Sequence, residues 1–86
     1  MPHFAEIDPE TNIVRRVVRA RTAAWCEENL GGTWVRTFYD TPPKVYAGVG
    51  FEYLVQYDNF REPSPGPEWY FDVEAWRWIK GTGNEQ

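Results

Sequence analysis

Five Trp, five Tyr and five Phe stand in a chain of 86 residues, and this surplus of rings constrains the fold more than any other feature. A domain of that size buries only about 60% of the surface its unfolded chain exposes. Each ring, however, brings on the order of 150–250 Å² that gains by leaving water. One small core cannot hide the whole set. Part of it is therefore expected at the surface, either half-buried with polar tips in water or grouped into patches that meet another molecule.

Other means of stabilising so short a chain are few. Cys26 is the only cysteine, so no disulfide can form within the chain and a cysteine-rich zinc site is excluded. The formal net charge of −4 disfavours long-range attraction to phosphate backbones or anionic lipid, so neither nucleic acid nor a membrane is an expected partner. No apolar run approaches the roughly 18 residues of a membrane span. The first residues lack the basic and apolar regions of a signal peptide, and synthesis in a cytoplasm without export is expected.

Hydrophobic patterning predicts one small domain over residues 1–86, mainly β in antiparallel hairpins with one short helix, ordered from about residue 3 to residue 80. His3–Asp8 and Ile13–Ala20 flank the turn-prone run Asp8-Pro9-Glu10-Thr11-Asn12 and read as a hairpin. Ile13, Val14, Val17 and Val18 also share a helical face, but their β-branching and the preceding turn favour a strand. Thr22–Leu30 has a Thr N-cap, good helix formers and a Gly31-Gly32 stop. Thr33–Tyr39 reads as a central strand carrying Trp34. Phe51–Tyr57 shows the clearest alternation, with Phe51, Tyr53, Val55 and Tyr57 on one face before Asp58-Asn59 turns the chain back into Phe60-Arg61. Pro63–Pro67 is a stiff connector. Trp69–Val73 and Trp76–Lys80 form a closing hairpin, and Gly81–Gln86 a frayed tail. The predicted core is Trp34, Phe51, Tyr53, Trp69 and Trp78. Trp34 is expected to meet Phe51 and Tyr53, and Trp69 to pack on Trp78.

No catalytic constellation emerges. His3 is the lone histidine and has no nucleophile beside it in sequence. Cys26, followed by two glutamates, lacks the electropositive setting that activates a thiol, and reads as buried and inert. The acidic groups Glu6, Asp8, Glu10 and Asp72, Glu74 flank turns, with too few oxygen ligands for a calcium loop. No catalytic, metal or cofactor site is expected. Arg15, Arg16, Arg19 and Arg21 concentrate four of the nine basic residues within seven positions. On a regular strand Arg15, Arg19 and Arg21 share one face and Arg16 takes the other. This stripe either deters edge-to-edge aggregation or meets an acidic surface. With Tyr46 and Tyr57 it forms the predicted interface.

The order of these short motifs also resembles a family. His3-Phe4-Ala5 with Ile7-Asp8, Asn12-Ile13-Val14 with Val17-Val18, Gly32-Thr33-Trp34 with Thr37 and Tyr39, Tyr46-Ala47-Gly48-Val49-Gly50-Phe51 with Tyr53, Asp58 with Phe60, and Pro65, Pro67 and Trp69 occur in sequence, followed by Trp78. Together they resemble short, uncharacterised virion-associated proteins of marine tailed bacteriophages. Arg19 stands where that resemblance would place an apolar residue. What it implies is a non-enzymatic virion accessory protein, foremost a head-decoration or cement protein that binds the major capsid protein and can form a homo-oligomer. The alternatives are a tail or fibre component and a host-directed protein-binding module outside the particle. Glycan binding would require two or more coplanar rings facing solvent.

Overall fold

The computed structural model describes residues 1–81 and shows a mainly β architecture of antiparallel sheets with one helix. Apart from Gly81, the predicted tail lies outside the described residues. Three strands make the first sheet: β1 (His3–Ile7), β2 (Val14–Arg19) and β3 (Thr33–Thr37), in the order β2-β1-β3, with helix α1 (Ala23–Leu30) between β2 and β3 in sequence. Two hairpins follow. In the first, β4 (Glu52–Leu54) runs through a 3-10 turn at Val55–Tyr57 into β5 (Asn59–Arg61); the second is β6 (Trp69–Asp72) with β7 (Arg77–Lys80).

The β1–β2 turn shows why the second segment is a strand rather than a helix. Asp8 donates its N–H to the Ile13 carbonyl (2.9 Å), its carboxylate accepts from the Glu10 N–H (2.9 Å), and Asn12 takes the left-handed conformation that its short polar side chain tolerates. Residues 13–18 are thereby delivered alongside β1. Their β-branched side chains suit the pleat.

The central strand is β1, which corrects the expectation that Trp34 lies on one: β3 is at an edge. Alternation along β1 feeds both faces of the sheet. Ala5 and Ile7 join Val14, Ala47 and Phe60 in one buried cluster, with Val17, Val35, Val45, Phe51 and Tyr53 packed around it. Phe4, on the opposite face, joins Ala20, Cys26 and Trp34 beneath α1. Trp34 therefore does not meet Phe51 or Tyr53, because the sheet stands between them. The helix starts where Thr22 accepts a hydrogen bond from the Trp25 N–H (3.0 Å), stops at Gly31 with φ 71°, and turns Cys26 inward.

The run of alternation also ends earlier than its pattern predicts. Gly50–Tyr53 zips onto Asn12–Val14 through backbone bonds of 2.8–2.9 Å, and past Leu54 the chain must reverse to put Phe60 opposite Tyr53. Val55–Tyr57 is used by that reversal. Asp58, left-handed at φ 49°, completes it, so Val55 and Tyr57 face water instead of the core. The molecule measures 51 × 26 × 19 Å with a radius of gyration of 14.7 Å. A domain of this length closed around one core would have about 12 Å.

Candidate protein-binding surfaces

The arginine stripe divides in two. Pairing between β1 and β2 slips by one residue, from Glu6↔Arg16 to Ile7↔Val14, so Arg15 is the extra residue of a bulge. Both Arg15 and Arg16 then turn toward Glu6, which corrects the expected opposite faces. Arg16 Nε donates to the Glu6 carboxylate at 2.7 Å, Arg15 lies 3.6 Å from it and 3.4 Å from Asp8, and the Arg16 guanidinium sits 5.3 Å from the Trp34 ring centre. Glu6 is buried on the central strand, and Gly32, at φ 88°, leaves room for its carboxylate where a Cβ would collide with it. These two arginines serve the fold.

Arg19 and Arg21 are placed elsewhere. They rim a hollow of about 170 Å³ with Met1, Ala20 and the half-exposed Trp25, and neither forms an ion pair among the described residues. Arg21 lies beyond the end of β2. On the other side of Met1 an open groove of about 460 Å³ runs past His3, Arg36, Phe38 and Tyr39. Tyr46 is half-buried, and its ring meets both His3 and Tyr39 edge-on at 5.5 Å. Arg36 and Lys44 lie 4.7 and 5.5 Å from the Phe38 ring centre. Tyr39 is 72% exposed. Sequence reading missed Arg36, Phe38 and Tyr39 as surface residues, because on a regular strand running to Tyr39 they count as alternating faces; the strand ends at Thr37.

The second aromatic surface belongs to the closing hairpin, and it corrects the predicted core. Trp69 and Trp78 are half-buried and outside both buried clusters; register pairs Trp69 with Lys80, and the ring opposite Trp78 is Phe71, 5.2 Å away. Two indoles, Trp76 and Trp78, tie the hairpin to β5 and to the residue that follows it. Trp76 donates its indole N–H to the Phe60 carbonyl (2.8 Å), and Trp78 donates to that of Glu62 (2.9 Å). The Arg61 guanidinium lies within 5.1 Å of the Phe71 and Trp78 ring centres while binding Glu52 at 2.8 Å. Tyr57 stands edge-on to Trp76 at 5.4 Å and remains half-exposed. Trp76 has φ 54°, a left-handed conformation that costs a non-glycine residue roughly 1–2 kcal/mol. Its bond to Phe60 and contact with Phe71 offset that strain.

A polar network fixes the loop between these surfaces. Asp58 accepts from Lys44 Nζ (2.8 Å) and the Tyr53 hydroxyl (2.7 Å), while Asn59 accepts from the Val45 N–H and donates to the Pro43 carbonyl. The bonds from Lys44 and Tyr53 hold the Asp58 carboxyl below its ordinary range. Burial and the bond to Asp58 push the Tyr53 hydroxyl up to about 12. Burial likewise raises the Cys26 thiol, away from the reactive thiolate.

Among the described residues no three His, Cys, Asp or Glu side chains converge to hold a metal ion, and no helix is long and apolar enough to cross a membrane. The contacting ring pairs meet at 48–88°, so none of these pairs presents coplanar faces. The six predicted interface residues fall into three places: Arg15 and Arg16 over Glu6, Arg19 and Arg21 with Tyr46 around the end of the sheet, and Tyr57 against the closing hairpin. A scan against protein-family models, a search of curated proteins and a search of solved structures each return no match.

Proposed function

We propose that this chain is a non-enzymatic, protein-binding accessory protein of a bacteriophage particle, foremost a head-decoration protein on the major capsid lattice. The observation that carries the protein-binding part is the end of the first sheet, where Trp25 and Tyr39 stand exposed beside arginines that form no ion pair among the described residues. Trp, Tyr and Arg are the side chains that most often anchor protein interfaces, combining large area with few rotors and polar tips. Fold stability does not explain their exposure, since both faces of the sheet are already covered by other residues. The phage part rests on the order of short motifs from His3 to Trp78.

Mass spectrometry of gradient-purified particles whose genome encodes the chain tests the proposal. Copies near stoichiometric with the capsid subunit support decoration, a few copies fractionating with tails move the protein there, and absence from particles ends the virion reading.

A further inference from the structure

The nine basic residues separate into two groups. Arg15, Arg16, Arg61, Lys44 and Lys80 each meet a carboxylate; Arg19, Arg21, Arg36 and Arg77 meet none among the described residues. Three of the four unpaired residues border the two hollows that share Met1, at the end of the sheet where β1 begins and β2 and β3 finish. In a chain of net charge −4, whose other basic side chains, Arg77 apart, each meet a carboxylate among the described residues, this is a local cluster of positive charge. It is interleaved with Trp25, Phe38 and Tyr39. A guanidinium is weakly hydrated for a cation and presents a planar fork that matches a carboxylate, and a neighbouring ring lowers the cost of removing it from water.

We propose that this end of the sheet is the docking site for a short acidic segment of a partner protein, its carboxylates received by Arg19, Arg21 and Arg36 and its apolar side chains by Trp25 and Tyr39. The proposal rests on the protein-binding reading but not on the phage assignment. Charge complementarity selects the occupant, and the borders of the patch limit its size. Glu27 and Glu28 follow Trp25 on α1, and Asp40 follows Tyr39. A continuous phosphate backbone would run past these carboxylates and be repelled, whereas a peptide with a few carboxylates can end before reaching them.

The test is an NMR titration of the 15N-labelled chain with a short Asp/Glu-rich peptide containing one Leu, its Asn/Gln counterpart, and oligo-dT of similar length. Saturable shifts at Arg19–Trp25 and Arg36–Thr41 with the acidic peptide, absent with the neutral one, are expected. The variant Arg19→Glu/Arg21→Glu/Arg36→Glu should weaken that binding at least about tenfold, while Arg77→Glu leaves it unchanged and both variants keep the parent spectrum elsewhere. No saturable binding at low salt, equal binding by the triple variant, or tighter binding of oligo-dT at the same residues overturns the proposal. Binding of the triple variant to capsids as tightly as the parent would remove this site and leave decoration standing. Peptide binding by a chain absent from particles would do the reverse.

Discussion

The first forty residues and the last thirty described are held together by different means. In the first region one central strand feeds two buried clusters, so stability comes from apolar area removed from water on both faces of a sheet. From Glu52 to Gly81 only Asn59 and Phe60 are buried. That region is held by indole N–H bonds to the Phe60 and Glu62 carbonyls, the Arg61 stack and the Lys44–Asp58–Tyr53 network. The contrast shows how a chain short of core volume uses an excess of rings: the surplus aromatics serve as hydrogen-bond donors and cation platforms, functions that do not require complete burial.

The largest effect is expected at Trp34. Trp34→Ala should cost about 3–5 kcal/mol, comparable to the entire stability of a domain this small, and abolish the cooperative melt followed by circular dichroism. A melt like the parent's would mean that the helix-covered face does not hold the fold.

Truncating Trp76 should act regionally. Trp76→Ala removes the bond to Phe60 but keeps the left-handed strain, with an expected cost of roughly 1–3 kcal/mol. Hydrogen exchange should quicken in β6 and β7 and stay slow in β1. Trp76→Gly, which relieves the strain, should recover about 1 kcal/mol relative to Ala. Equal acceleration in β1 would show that the two regions open as one unit, and the comparison would fail.

Cys26 sharpens the account of the helix-covered cluster. Cys26→Ser places a hydroxyl among Phe4, Ala20 and Trp34, and should lower stability by about 1–3 kcal/mol, more than Cys26→Ala. Denaturant midpoints of the two variants decide it. A Ser variant as stable as the parent would mean that water reaches this face.

The smallest effect is a pH dependence in the loop network. The folded Tyr53 hydroxyl is pushed up to about 12, so its contribution is fully present below the unfolded tyrosine range near about 10 and is lost as pH rises toward 12. The Asp58 carboxyl is held low, so its contribution is present above the unfolded carboxylate range and fades as pH falls through the folded value. Solvent exposure keeps the Asp58 effect modest. Melting temperatures against pH should show the alkaline decline in the parent and a shallower one in Tyr53→Phe. Superposable curves would remove Tyr53 from the network.

Legibility in the sequence followed how local each cause is. The Asp8–Asn12 turn, the Thr22 cap with the Gly31 stop, and the closing hairpin were readable because a few adjacent residues decide them. The exposure of part of the aromatic set also followed, from surface-to-volume scaling alone. Which rings those are was not readable. Trp34 is buried because α1 covers it, whereas Trp69 and Trp78 remain half-buried because among the described residues no second layer covers their hairpin, and Trp78 is tied only to the Glu62 carbonyl. The bulge at Arg15 and the reversal after Leu54 arise from pairing between segments distant in sequence, which a pattern of period two does not register. Chain-local propensity and composition thus determined the elements and the surplus of surface rings. Tertiary structure alone decided that β1 is central and that Arg19, Arg21 and Arg36 share one end of the sheet, because both depend on which strand each neighbour pairs with and where that pairing stops.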